Sequence, residues 1–265
     1  MQALKGAAAG REELPGMACV LIGVALLLIV SAARGAEAGS FTPEQQALYA
    51  KCQKSPPASQ VQDCTAVIDS KAFQGAQLVG LYVNRANAYD AGGDKVSALA
   101  DYNKAVELAP NSAGVYYNRG VFFAAQHDLD SALKDYSEAL RISPDLVLAR
   151  YNRALINGAK GALPEAVTDF TEVIRVNPNV AELYARRGLV YVKQHDFNNA
   201  IDDENEAIRL KPTLAIAFLF RAMANGGLGD SAKSTADAQT AIKMDPALMR
   251  FVKLNGQSLS FAIPP

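Results

Sequence analysis

Five prolines spaced 34 residues apart constrain the fold of this chain more than any other sequence feature. They are Pro110, Pro144, Pro178, Pro212 and Pro246. A sequence period of this length is typical of a solenoid, in which each unit packs against its neighbours because it cannot bury its apolar surface alone. The sequence therefore predicts five copies of one structural unit, stacked one after another.

Two charged residues recur at fixed distances before each proline. In all five units an aspartate stands nine residues before the proline and an arginine twenty-five residues before it. A catalytic or ligand site is usually built once, whereas a contact of the scaffold repeats with the unit. Partly exposed ion pairs of this kind contribute about 0 to 1 kcal/mol each. We predict five pairs that link helices within a unit or between neighbours: Arg85 and Asp101, Arg119 and Asp135, Arg153 and Asp169, Arg187 and Asp203, and Arg221 and Asp237.

The composition is that of a folded protein without a basic surface. Of the 265 residues, 50% are hydrophobic and 20% are charged, which is ample for a packed core. The formal net charge is -1, and no run of lysine or arginine occurs. Binding to nucleic acid depends on a concentrated basic surface that displaces counterions from phosphates. We therefore expect no nucleic-acid partner.

The first 38 residues have the features of an export signal. An uncharged, apolar run over residues 17–33 is followed by small residues ending in Ala36-Glu37-Ala38, the pattern of a cleavage site. The alternative is an uncleaved membrane anchor, since the run is only slightly shorter than the length that a bilayer-spanning helix needs. In both cases we expect the rest of the chain to be exported. It would lie in the periplasm, or be held at the inner membrane and face the periplasm.

Cys52 and Cys64 are the two cysteines that follow this segment. Each lies in a candidate helix, and Ser55-Pro56-Pro57 breaks the chain between them. Export favours a disulfide, which would close a loop of about 13 residues and contribute about 3 kcal/mol on the chain-entropy estimate. The alternatives are two buried free thiols, or a redox-active or metal-binding pair. A redox pair usually has the tighter C-x-x-C spacing, and a metal site needs more ligands.

The residues around the prolines resemble the tetratricopeptide repeat. With the proline at position 32, this repeat has aromatic side chains at positions 4, 11 and 24 and small residues at 8, 20 and 27. The second unit fits best, with Tyr116, Gly120, Phe123, Ala132, Tyr136 and Ala139. The third unit departs from the pattern at Arg150 and Asn157, and the fourth departs at Glu204.

The resemblance implies an all-α protein, a right-handed solenoid of antiparallel helix pairs. The five units are expected at 79–112, 113–146, 147–180, 181–214 and 215–248. Counting back one more period places residues 39–78 in a degenerate helical hairpin. There Cys52 and Cys64 fall at positions 8 and 20, where the two helices approach most closely. Residues 249–265 are predicted to form a short capping helix and a tail, because a solenoid needs its open end covered.

The turns between helices account for several polar residues that could suggest chemistry. The expected N-caps of second helices are Asp94, Asp128, Asp196 and Asp230. His127 and His195 occupy the same turn position two units apart, which favours turn residues over metal ligands. No P-loop, H-E-x-x-H or serine-hydrolase order occurs. We therefore predict a protein that is not an enzyme and has no cofactor or metal site.

In this family, ligands commonly bind the concave surface formed by the first helices of the units. The corresponding positions here are mostly apolar, with two tyrosines at the centre: Val83, Asn87, Tyr117, Val121, Tyr151, Leu155, Leu189, Val192, Leu219 and Met223. Such a strip would suit an extended or helical peptide. The alternative is that several of these side chains pack against neighbouring units or the C-terminal tail. The lysines with which some members clamp a terminal carboxylate are missing, although Asn118, Asn152 and Arg186 stand at position 6.

The resemblance thus implies a non-enzymatic interaction module that scaffolds proteins of a bacterial cell envelope by binding peptide segments in this groove. The alternative is a membrane-tethered accessory subunit that docks or positions a cell-envelope enzyme. The expected partner is a protein or peptide in either case. Membrane contact is expected only through the N-terminal segment, if it stays uncleaved.

Overall fold

The computed structural model describes residues 42–255 and 258–264, and the predicted export or anchor segment at 1–38 lies outside them. Within the described residues the chain forms twelve α-helices, one 3-10 helix and two β-strands. No helix in this part of the chain is long and apolar enough to cross a membrane.

The helices form six consecutive hairpins, as a solenoid requires. The N-terminal hairpin pairs α1 (Pro43–Lys54) with α2 (Pro57–Asp69). The first helices of the repeat units are α3 (Gly75–Ala91), α5 (Ala113–Ala125), α7 (Val147–Lys160), α9 (Ala181–Lys193) and α11 (Ala215–Gly227). The second helices are α4 (Lys95–Leu108), α6 (Leu129–Ile142), α8 (Leu163–Val176), α10 (Phe197–Leu210) and α12 (Ser231–Met244). Each helix packs mainly against its neighbours in sequence, which confirms the predicted fold class.

Aspartate side chains begin most of the second helices. Asp94, Asp128, Asp196 and Asp230 each accept a hydrogen bond from the backbone N–H three residues later, as predicted for N-caps. In the third unit Ala162 stands at this position and gives no side-chain cap, and Pro164 occupies the first turn instead. The start of each second helix is therefore encoded locally.

Close contact between the two helices of a unit depends on small residues facing aromatic ones. In the second unit, Tyr136 on α6 lies against Gly120 on α5, and a Cβ atom at residue 120 would stand 2.8 Å from Tyr136 Cε1. That distance is too short for a side chain, so glycine is needed there. Ala132 and Tyr136 are almost completely buried in the resulting core.

The turn between first and second helices needs a left-handed backbone at position 15. Gly93, Gly161 and Gly229 adopt it in three units, with φ of 84°, 83° and 82°. His127 and His195 hold the same place in the other two with φ of 60°. Both histidines are thus turn residues, as predicted, and they occupy a backbone region that favours glycine.

A disulfide joins Cys52 on α1 to Cys64 on α2. Both residues are fully buried, and their Cα atoms are 4.5 Å apart. They share a small core with Val67, Phe73 and Leu81, which connects the N-terminal hairpin to α3. The favoured prediction of a disulfide is therefore confirmed over free thiols.

The C-terminal end is closed by a different structure from the predicted capping helix over 249–265. A 3-10 helix, Pro246–Phe251, follows α12, and β1 (Val252–Asn255) pairs with antiparallel β2 (Ser258–Phe261), with Val252 opposite Phe261. Phe251, Val252 and Phe261 pack against the core of the last two units, so the end is covered as expected. The sequence signal for this hairpin is Gly256 as the first of the two residues between the strands, flanked by alternating apolar residues.

Candidate functional site

The surface formed by the first helices changes character along the solenoid. We call it the first-helix face and define it by repeat positions 5, 6 and 9 of α3, α5, α7, α9 and α11. In the second and third units, Tyr117, Val121, Tyr151 and Leu155 on this face are only partly buried. In the fourth and fifth units the residues at positions 5 and 9 are buried: Ala185, Leu189, Leu219 and Met223.

The two tyrosines are held by aromatic contacts to the second helix of their own unit. The ring of Tyr117 lies 6.0 Å from that of Tyr136, and the ring of Tyr151 lies 6.0 Å from that of Phe170, measured between centroids. Tyr136 and Phe170 are core residues. Each tyrosine therefore packs on a core residue while part of it stays open to solvent.

Five of the ten residues predicted to line the groove are buried: Val83, Leu189, Val192, Leu219 and Met223. The last four belong to one core that also holds Phe220 and receives the C-terminal hairpin. The physical reason is that α9 and α11 pack against each other more closely than other consecutive first helices of the repeat units. The open apolar strip is therefore shorter than predicted, and the packing alternative applies at these five positions.

Polar side chains line the open part of the face. Asn87 is exposed, and its Oδ1 accepts a hydrogen bond from the Tyr102 hydroxyl. Asn84, Asn118 and Asn152 repeat at position 6 and are half-buried. Asn152 Nδ2 lies 3.4 Å from the Tyr136 hydroxyl oxygen. Amide side chains that alternate with partly buried tyrosines can donate and accept hydrogen bonds beside apolar contacts.

Position 6 changes from asparagine to arginine at the fourth unit. Arg186 and Lys193 both lie on α9 and are half-buried. Lys193 Nζ donates to the carbonyl oxygen of Gly158 at 3.2 Å, near the C-terminus of α7. Burial, and secondarily the charge of Arg186, lower the pKa of Lys193. The ten residues predicted to line the groove do not include these two, although Arg186 was noted at position 6 and Lys193 stands at position 13, which also faces the concave surface in this family.

All five predicted arginine–aspartate pairs form, each between the two helices of one unit. In every pair the arginine Nε and one terminal nitrogen donate to the two carboxylate oxygens at 2.7 to 2.9 Å. The Asp135 side chain is only 4% exposed. The pairs are therefore bidentate and more buried than expected, which makes them stronger than surface pairs.

The remaining nitrogen of each arginine reaches the preceding hairpin. Arg119 Nη1, for example, donates to Asn103 Oδ1 on α4 at 2.8 Å. The equivalent acceptors for the other four arginines are Thr65, Ser137, Thr171 and Asn205. One side chain thus ties together the two helices of its unit and the second helix before them. The charged residues that recur in every unit are used in this structural ladder.

The third unit departs from the ladder where the repeat pattern departs. In the other units one or two aromatic rings lie against the arginine, as Tyr116 and Phe123 flank Arg119 with centroids 5.7 and 5.8 Å from its Cζ. In the third unit Arg150 replaces the first ring, and its Nη1 contacts Asp169 Oδ1 at 3.3 Å. A second cation on the same carboxylate takes the place of the missing aromatic contact.

One acidic side chain is buried without a partner. Glu204 is 0% exposed at position 24, where Tyr102, Tyr136 and Phe170 stand in the first three units. Neither carboxylate oxygen has a hydrogen-bond partner among the described residues. Burial, and then the neighbouring charge of Asp203, raise the pKa of Glu204 well above its ordinary value. Among residues 42–255 and 258–264, no three histidine, cysteine or acidic side chains are grouped so as to hold a metal ion.

The comparisons with known proteins agree with this architecture. Sequence models of the tetratricopeptide repeat match residues 79–112, 113–146 and 148–215. The comparison with curated proteins returned no match.

Several solved structures share the fold at low sequence identity. YrrB, described as a TPR protein with an unusual peptide-binding site, matches with a TM-score of 0.63 and 20% identity over 71% of this chain and 95% of YrrB. MamA from Desulfovibrio magneticus matches with a TM-score of 0.60 and 18% identity, covering 64% of this chain and 96% of MamA. A tetratricopeptide repeat protein from Parabacteroides merdae matches with a TM-score of 0.62 and 19% identity, covering 76% of this chain and 78% of that protein. The sequence matches and the repeated helix pairs show that this chain belongs to the tetratricopeptide repeat family.

Proposed function

We propose that the chain is a protein-interaction scaffold that binds peptide segments on the first-helix face of its second and third units. The observation that carries this proposal is the partial exposure of Tyr117, Val121, Tyr151 and Leu155. Tyrosines provide large contact areas at low entropic cost, and adjacent apolar side chains gain free energy when a ligand covers them. YrrB, which shares the fold, is described as having a peptide-binding site, and this agrees with the proposal.

The proposed role is non-enzymatic. The arginines and aspartates that recur in every unit are engaged in helix–helix ion pairs, so they serve the scaffold. The two histidines lie in turns on different units. A binding role uses the surface that varies between units, and that surface is the first-helix face.

We propose further that the protein acts in a bacterial cell envelope, exported to the periplasm. The buried disulfide between Cys52 and Cys64 supports this, because such bonds persist in oxidising compartments. The apolar run and small-residue tail of the first 38 residues also support it. The alternative is a membrane-tethered accessory subunit that positions an envelope enzyme. N-terminal sequencing of the exported protein separates the two, because only cleavage removes the tether.

The test of the binding proposal compares two pairs of substitutions in crosslinking pull-downs from the source cells. Tyr117→Ala with Tyr151→Ala removes the two partly buried rings of the face. Val96→Ala with Val176→Ala removes exposed apolar side chains, 81% and 52% accessible, from second helices. We expect the tyrosine variant to lose partners that the valine variant retains. Identical partner sets for both variants and the wild type would refute the proposal.

A further inference from the structure

Arg186 differs from every other arginine in the described part of the chain, because no hydrogen bond, ion pair or aromatic contact engages its guanidinium. The other described arginines all bind a carboxylate or lie over an aromatic ring. Arg186 is nevertheless half-buried. A partly desolvated cation without a partner favours an anion from outside the chain.

The natural partner of Arg186 within its own helix is already taken. Glu182 lies four residues earlier on α9, a spacing at which opposite charges attract. Its Oε1 instead accepts from Lys211 Nζ at 2.6 Å, and this contact lowers the pKa of Glu182. The charge of Glu182 is therefore balanced by Lys211, and the charge of Arg186 is left over.

Lys193 adds a second positive charge on the same helix. The residue is half-buried, and among the described residues its ammonium meets only the carbonyl oxygen of Gly158. Gly158 follows Leu155 by three residues on α7, so this contact places the ammonium within one helical turn of Leu155. Arg186 and Lys193 are seven residues apart, about 10 Å along the helix axis. They border the partly buried side chains of the third unit on the side of α9.

We infer that the peptide segment bound by the first-helix face carries at least two acidic side chains, which contact Arg186 and Lys193 beside an apolar residue packed on Tyr151 and Leu155. This inference rests on the proposed function and specifies its ligand. Two cations whose backbone positions are two helical turns apart can each bind a separate carboxylate, which favours several acidic side chains of an internal segment over a single chain terminus. The closed packing of α9 against α11 places the cations at the edge of the open part of the face.

The experiment is selection of random 12-residue peptides, displayed on phage with their C-termini blocked by the coat protein, on the full chain in mild detergent. We expect enriched peptides to contain paired aspartate or glutamate residues beside an apolar residue. The best peptide is then synthesised in its acidic form and with its acidic residues changed to amides. We expect the amide form to bind about tenfold more weakly or worse, since charge-assisted hydrogen bonds are lost.

Protein variants assign the effect to the two cations. Arg186→Gln and Lys193→Gln should each weaken the acidic peptide by about tenfold and leave the affinity of the amide form unchanged. Lys243→Gln removes one positive charge from an exposed site on α12, and it should change neither the affinity of the acidic peptide nor that of the amide form. The unchanged affinity of the amide form also shows that the variants are folded.

Different failures have different meanings. Enriched peptides without acidic residues, or equal effects of Arg186→Gln and Lys243→Gln, would overturn the acidic-segment inference and leave the binding face standing. If the affinity depends on a free terminal carboxylate of the synthetic peptide, the face binds a chain terminus and not an internal acidic segment. That result would also overturn the acidic-segment inference. Enrichment that survives Tyr117→Ala with Tyr151→Ala would refute the proposed face itself.

Discussion

Glu204 shows how one residue departs from the repeat pattern at a cost in stability. It occupies a core position filled by an aromatic ring in the first three units, and its Oε1 lies where a Cβ atom of residue 188 would be. Gly188 therefore provides the space for the carboxyl group. Burial in that space favours the protonated form, because an unpartnered carboxylate has lost its hydration. The folded state thus binds a proton more tightly than the unfolded state.

The protonation of Glu204 predicts a pH-dependent stability. Its pKa is 4.5 when unperturbed and is raised in the folded chain, so its contribution is greatest below pH 4.5 and is lost as the pH rises towards the folded pKa. Glu204→Gln keeps the shape without ionising. We expect the free energy of unfolding of the variant to rise relative to that of the wild type as the pH increases from 4.5 towards the folded pKa, by up to about 1.4 kcal/mol per pH unit for one proton.

Urea unfolding at several pH values measures this difference. Glu165→Gln, at an exposed position on α8, is the matched control and should follow the wild type. A Glu204→Gln curve parallel to that of the wild type across the whole range would show that the carboxyl group does not retain its proton on folding.

The ion pair between Arg119 and Asp135 gives a second prediction about single residues. Hydrogen bonding to Asp135 raises the pKa of Arg119, and the aspartate side chain is 4% exposed. Removing Arg119 alone leaves a buried carboxylate, which costs about 3 to 5 kcal/mol. A double-mutant cycle with Arg119→Ala and Asp135→Ala should give a coupling of about 1 to 3 kcal/mol.

The pair Arg175 and Glu172 is the control for this cycle, since it lies on the surface of α8 with side chains 70% and 41% exposed. Its coupling should stay below about 0.5 kcal/mol. Equal coupling for the two pairs would mean that burial adds nothing to the ladder. The sequence predicted which residues pair, but their burial and bidentate geometry depend on how the units stack.

At the scale of helices and turns, His127 provides a test of backbone strain. It adopts φ of 60° where three other units have glycine. A side chain in this region costs about 1 kcal/mol, although glycine loses more entropy on folding. We expect His127→Gly to be neutral or to raise the free energy of unfolding by up to about 1 kcal/mol.

The adjacent residue supplies the control. Gln126 has φ of -87°, which any residue adopts, so Gln126→Gly should destabilise the chain by about 0.5 to 1 kcal/mol. Chemical denaturation of both variants checks the contrast. An equal loss of stability for His127→Gly and Gln126→Gly would remove the argument from strain.

Helix positions were predictable from the sequence because caps, small residues and aromatics recur with the unit. Asp128 marks the start of α6, and Gly120 and Tyr136 specify the contact of α5 with α6. The C-terminal hairpin was not predicted, since a short capping helix was expected to cover the open end of the solenoid. Gly256, the first of the two residues between the strands, was the local signal that could have corrected this.

At the scale of the whole molecule, the face available to a ligand depends on how first helices pack on one another. Position 9 is apolar in four units, yet Val121 and Leu155 remain partly open whereas Leu189 and Met223 are buried. Periodicity assigns all four to one face, but it carries no information about the spacing of neighbouring helices. The sequence likewise could not show that Arg186 lacks an ionic partner, because the contact of Lys211 with Glu182 depends on the tertiary structure.

Photo-crosslinking from two positions of one unit determines whether a peptide partner lies on the first-helix face. Leu148 on α7 lies one helical turn before Tyr151 and Asn152 and is therefore beside the first-helix face, whereas Val176 lies on α8. Both are apolar, and they are 40% and 52% exposed. Each is replaced in turn by a photoreactive benzoyl-phenylalanine, and crosslinked partners are identified by mass spectrometry in the source cells. We expect partners to crosslink from residue 148 and not from residue 176. The same partners captured from both positions, or from residue 176 alone, would contradict this expectation.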